Sequence, residues 1–110
     1  MSAKKYEQIA AKIANHVNQT IKYCRDRTQE DFMSDKMLQE ACVFNVLQIG
    51  ELAAKAIELE LDKEHPEIEW RQMRGMRNRI VHDYDGIRLS IVWDTINEDF
   101  PKLLEKLELQ

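Results

Sequence analysis

Three residues able to do chemistry stand inside one short stretch, RNRIVHDYD (77–85): Arg77, His82 and Tyr84. Histidine titrates near neutrality, so His82 can take or give a proton. A guanidinium can stabilise negative charge that develops on phosphate oxygens. A tyrosine can stack on a base or hydrogen-bond a phosphate. Together these types suit cleavage of a phosphodiester without a metal, because RNA supplies its own nucleophile in the 2′-hydroxyl. The plain alternative is that Arg77, Arg79 and His82 are solvated cations near a helix C-terminus, where the helix dipole favours positive charge. Asn78 and Asp83 can support such a site, or simply decorate a solvated face.

Helix geometry constrains the arrangement. At about 100° per residue, positions 77 and 84 share a face to within about 20°, whereas 82 lies about 140° round from 77. One straight helix does not align all three. Either the helix ends or bends near His82, or Arg77 reaches round, or a second copy of the chain completes a shared cleft across a two-fold axis.

The elements that must position these groups read as helices. Only three Gly and two Pro interrupt a chain rich in Ala, Leu, Ile, Glu, Lys and Gln. Its 110 residues fit one domain, 1–110. Ile9, Ile13, Val17, Ile21 and Cys24 form a one-sided stripe that predicts a first helix over 4–26. Thr28 to Asp31 resembles a capping box that opens a short turn through Phe32 and Met33. Ser34 or Asp35 then caps a long helix over 35–61. That helix is apolar round much of its circumference and must be covered on more than one side. Gly50 sits in its middle, where glycine costs stability, which implies close approach of another backbone. Glu51, an acid beside an apolar run, is a candidate partner for an arginine of the 74–79 group.

Pro66 ends this pattern. A third helix is predicted from Ile68 or Trp70 to Tyr84, striped by Met73, Met76 and Ile80. Asp85-Gly86 reads as a turn. A last helix is predicted over 89–107, kinked or split by Pro101. Trp70, Trp93 and Phe100 are expected in the core, and His16 and His65 in solvent. Short links between four main helices predict an all-α, antiparallel bundle.

The net charge of −4 argues against a protein that coats nucleic acid. The sum hides an asymmetry: residues 71–88 are +3 and the remainder −7. All cations of that segment are arginine (Arg71, Arg74, Arg77, Arg79, Arg88), whose planar fork suits phosphate. Cys24 and Cys42 have no metal-ligand spacing and read as small, reduced core residues. No metal site and no cofactor is expected. No apolar run approaches membrane-spanning length, and the N-terminus lacks an apolar signal core, so a soluble cytoplasmic protein is expected.

QIGELAAK (48–55), PEIEWRQMRGMRNRIVHDYDGI (66–87) and VWDTINEDFPKLLEKL (92–107), with IKYCRDRTQEDFMSD (21–35) before them, closely resemble the HepT-like branch of the HEPN superfamily. The most specific element is Arg-x4-His-x-Tyr at 77–84, preceded by Gly75-Met76. The resemblance implies a four- to five-helix HEPN bundle that forms a homodimer. It implies an endoribonuclease toxin of a toxin–antitoxin pair, with Arg77 and His82 as catalytic residues in a cleft at the dimer interface. Arg74, Asn78, Arg79, Asp83 and Glu51 are then candidates for support or RNA contact. It further implies that Tyr84 is AMPylated, and the toxin silenced, by an MNT-type nucleotidyltransferase antitoxin. Two other expectations stand beside this one: a non-catalytic binding partner of such a nucleotidyltransferase, and a dimerisation domain with no chemistry.

Overall fold

In a computed structural model of the chain, residues 2–82 and 88–108 are described, and every regular element among them is helical. Helix α1 (Ser2–Cys24) buries Ile9, Ile13, Val17 and Cys24, the predicted stripe. Asp26 takes a left-handed conformation just after it (φ 62°), which a short polar side chain tolerates. The capping box at α2 (Gln29–Ser34) is complete. The Asp31 amide donates to Thr28 Oγ1 (3.1 Å), and the Thr28 amide donates to Asp31 Oδ2 (2.9 Å). Phe32 is thereby turned into the core.

Asp35, rather than Ser34, caps α3 (Lys36–Glu58), accepting from the Leu38 amide at 3.0 Å. That hydrogen bond, aided by Arg27 at 3.3 Å, holds the Asp35 carboxyl below the usual carboxylate range. Helix α3 stops at Glu58, short of the predicted 61. Glu60 turns left-handed (φ 64°), and a single turn, α4 (Leu61–Glu64), follows. A left-handed residue costs roughly 1–2 kcal/mol. Full burial of Leu61 returns about 1.5–3 kcal/mol, which explains why the break is tolerated.

Helix α5 (Trp70–His82) packs antiparallel on α3. Gly50 faces Met73 and Arg77, while Asp62, past the end of α3, bonds Arg71 at the start of α5 (3.0 Å). Helix α3 thus lies between α1 and α5, and this two-sided cover accounts for its broad apolar surface.

The last segment is helical throughout rather than split. Helix α6 (Leu89–Asp94) passes through a π-turn (Thr95–Asp99) into α7 (Phe100–Glu108). The Phe100 amide bonds the Thr95 carbonyl, five residues back. A proline at 101 has no N–H and its ring would crowd the carbonyl four residues earlier. The widened turn absorbs that conflict. Phe100, Leu103 and Leu107 close the core against α1.

Two expectations about histidines are corrected. His16 is half-buried, and its Nδ1 bonds the Oδ1 of buried Asn45 (2.8 Å), tying α1 to α3. His65 is half-buried too, stacked on Tyr6 with ring centroids 3.6 Å apart, and its carbonyl accepts from Trp70 Nε1 (2.9 Å). In each case a polar residue on a seemingly solvated position satisfies a buried polar or aromatic neighbour, which spacing alone does not reveal. Trp70 and Phe100 are buried as expected, and Trp93 packs partly buried on Phe32. Among the described residues no helix is long and apolar enough to cross a membrane.

Candidate functional site

The candidate groups ride on α5, and the glycine in α3 sets how close that helix comes. A Cβ at Gly50 would collide with Arg77 Cβ and lie 2.8 Å from the Met73 carbonyl oxygen. The aliphatic stem of Arg77 therefore crosses α3 where α3 has no side chain. This is the close backbone approach that the mid-helix glycine implies.

From that crossing the guanidinium is held on two sides. Its Nη1 donates to Glu51 Oε1, across from α3, and its Nε donates to Asn78 Oδ1 (2.9 Å), its neighbour on α5. The Arg77 side chain is only 22% exposed, whereas Glu51 is 57% exposed at the rim. The stem is buried and the charged end is steered, so the N–H groups not used by Glu51 and Asn78 remain for an anion. Glu51 is thus the partner of Arg77 within the 74–79 group.

His82 is the last residue of α5 and is exposed. The predicted continuation of this helix to Tyr84 and the Asp85-Gly86 turn lie outside the described residues. Among the described residues, no hydrogen bond or ion pair joins His82 to Arg77. Arg74 is half-buried and Arg79 exposed. Arg71, a turn earlier, is engaged by Asp62. Tyr84 and Asp83 lie outside the described residues.

Apolar surface adjoins this site. Phe44 is 56% exposed and Val81 61%. Phe44 precedes Glu51 by two turns and shares its face of α3 to within about 20°, while Val81 follows Arg77 by one turn. Met37, two further turns back on α3, is 82% exposed.

Sequence reasoning offered Glu51 as a partner for an arginine of the 74–79 group and Gly50 as a point of close approach, without showing that both meet at Arg77. It treated Asn78 as a diffuse supporter, whereas its amide oxygen is a direct ligand of the Arg77 guanidinium. The signal for that was the adjacency of Arg and Asn on a face opposed by a glycine.

The sequence model of a family described as "Ribonuclease HepT-like" matches residues 13–109. A Thermococcus cleftensis protein named as a probable ribonuclease HepT is 38% identical over 96 residues, covering 87% of this chain and 86% of that protein. A Caldanaerobacter subterraneus protein named as a putative RNase is 31% identical, covering 84% of this chain and 86% of its own length. Another so named, from Methanocaldococcus jannaschii, is 28% identical over 109 residues and 99% of both chains. No solved structure gives a significant match. An all-helical bundle, the Arg-x4-His-x-Tyr motif at 77–84 and a match over nearly the whole chain agree: this protein belongs to the HepT-like ribonuclease family.

Proposed function

We propose that the protein is a metal-independent endoribonuclease of the HEPN type, acting as the toxin of a HEPN/MNT toxin–antitoxin pair. The observation that carries this reading is the two-sided hold on Arg77 by Glu51 and Asn78. It fixes a guanidinium on the same helix that bears the exposed His82. Arg77 would bind the scissile phosphate and stabilise its developing charge. His82 would remove the proton from the 2′-hydroxyl, or protonate the departing 5′-oxygen. The products of that chemistry are a 2′,3′-cyclic phosphate and a free 5′-hydroxyl. Arg74 and Arg79 would contact neighbouring phosphates, so affinity should fall with salt.

Because His82 and Arg77 are angularly separated on α5, a second copy is needed to complete the cleft in this reading. The exposed Phe44 and Val81 beside the site support a homodimer there. Tyr84, two residues past His82, would be the hydroxyl to which an MNT-type nucleotidyltransferase transfers AMP from ATP. A phosphodiester at that position brings negative charge and bulk beside the arginines and competes with RNA phosphate.

The test is RNA cleavage by purified, unmodified protein, with analysis of the product ends. Cyclic phosphate ends that vanish in His82→Ala are expected. Undiminished cleavage by that variant would refute the assignment. Intact mass after co-expression with a cognate nucleotidyltransferase should show AMP-sized increments that are lost in Tyr84→Phe.

One observation favours a second reading. The Glu51 carboxylate offsets the charge of Arg77, as it would if the arginine served packing in a non-catalytic partner of the nucleotidyltransferase. Wild-type protein that gains AMP yet never cleaves RNA, modified or not, would establish that alternative.

A further inference from the structure

Cys24, the last residue of α1, and Cys42, within α3, have their sulfurs 3.7 Å apart in the core. The two residues are separated by 18 positions and have no role in the site on α5. Cys42 is completely enclosed, but Cys24 lines a cavity of about 230 Å³ that opens to solvent between the end of α1 and the π-turn. Arg25, Arg27, Asn97 and Pro101 share that cavity. The two thiols are therefore unequal: Cys24, buried at 5% exposure, borders that opening, while Cys42 at 0% is fully enclosed.

We propose that Cys24 and Cys42 form a hydroperoxide-responsive pair in which Cys24 is oxidised first and Cys42 closes a disulfide between α1 and α3. The surroundings favour that order. A hydrogen bond from Cys42 holds the Cys24 thiol down, burial opposes this, and the nearby charge of Arg27 adds to the lowering. Cys42 is pushed up by the same hydrogen bond and by its burial. Thiolate character and access both select Cys24 as the nucleophile.

In the first step the Cys24 thiolate attacks one oxygen of a hydroperoxide. An S–O bond forms, the O–O bond breaks, and the alcohol (water, for hydrogen peroxide) leaves with a proton. In the second step Cys42 sulfur attacks the Cys24 sulfenic sulfur. The S–S bond forms, the S–O bond breaks, and hydroxide departs as water with the Cys42 proton. Two thiols and one hydroperoxide thus yield one disulfide, one alcohol and one water, the two electrons passing from sulfur to the peroxide. Closure brings the sulfurs from 3.7 Å to a bonded length of about 2 Å. The bridge would fasten the end of α1 to the helix that carries Gly50 and Glu51. Nothing in this chemistry depends on RNA cleavage.

The experiment treats reduced full-length protein with hydrogen peroxide and follows thiol titre, intact mass and a non-reducing peptide digest. Both thiols should disappear together, the mass should fall by two hydrogens, and one peptide pair should link Cys24 to Cys42. Cys42→Ala should trap a sulfenic acid on Cys24 that dimedone captures, and Cys24→Ala should leave Cys42 at least about tenfold slower to oxidise. The wild-type digest stands even if either variant folds poorly. Thiols that resist peroxide until the chain is unfolded, oxygen added without a link, a bridge between two chains, or Cys42 oxidised at the wild-type rate in Cys24→Ala would each overturn the proposal.

Discussion

Arg77 crosses α3 directly over Gly50, and the missing side chain at 50 is what brings α5 close enough for Glu51 to hold the guanidinium. Gly50→Ala would gain roughly 1 kcal/mol of helix propensity. The new methyl would nonetheless meet Arg77 Cβ and the Met73 carbonyl, and a backbone neighbour cannot simply rotate away. Net destabilisation of about 1–3 kcal/mol is expected by urea unfolding. Gly75 on α5 is the contrast, with nothing within 4 Å of its would-be Cβ. Gly75→Ala should stabilise by about 0.5–1 kcal/mol. Equal effects of the two changes would refute the close-approach explanation.

The Glu51–Arg77 pair should matter more to activity than to stability. Glu51 is more than half exposed, so its loss as Glu51→Gln should change unfolding free energy by less than about 1 kcal/mol. The same change removes the charge that holds one side of the guanidinium and should lower kcat for RNA cleavage roughly ten- to a hundredfold. Arg77→Lys should be at least as damaging, because an ammonium cannot reproduce the fork that meets Glu51 and Asn78 together. Unchanged kcat in both variants would remove Arg77 from the proposed mechanism.

Phe44 and Val81 supply a check on the second copy. Replacing Phe44 with Asp places a charge on the apolar surface beside the site without touching the core of one chain. Sedimentation should show the apparent dimer Kd rising at least about tenfold, with cleavage per chain falling at low concentration. A variant that sediments as wild type would refute the homodimer proposed at this face.

Tyr6 makes a prediction about pH. Its ring is buried between His65 and Trp70, and its hydroxyl has no hydrogen-bond partner among the described residues. Burial first, and Glu67 second, push its phenol up to about 12 from 10.0. The folded state therefore keeps a proton that the unfolded chain gives up first. This contribution is fully present below about pH 10 and is lost as pH rises toward about 12. Tyr6→Phe should be neutral or slightly stabilising near pH 7, because it removes an unsatisfied buried group. It should also flatten the alkaline loss of stability by up to a few kcal/mol. The wild-type and variant curves running parallel from about pH 9 to 12 would contradict this.

Much of this was legible from spacing. Ile9, Ile13, Val17 and Cys24 announced α1, Thr28 and Asp31 announced α2, and Gly50 announced a close approach. Boundaries were less legible. Glu60 leaves the helix because Leu61 gains a buried place, and that gain depends on neighbours far along the chain. Pro101 signalled a disturbance, and a π-turn over Thr95–Asp99 accommodates it, a widening of the helix that the proline alone does not specify.

By itself, then, the sequence determined which segments are helical, which faces are apolar, and which residue types could act on a phosphodiester. Those follow from local periodicity and intrinsic side-chain chemistry. Only the tertiary structure decided that Glu51, 26 residues away, holds Arg77, that His16 serves Asn45, and that two distant cysteines touch. These pairings depend on the relative register of packed helices, where a shift of one residue turns each side chain by about 100°. No local pattern encodes that register. It is set by the whole core closing at once, with Gly50 as the point where two helices come nearest.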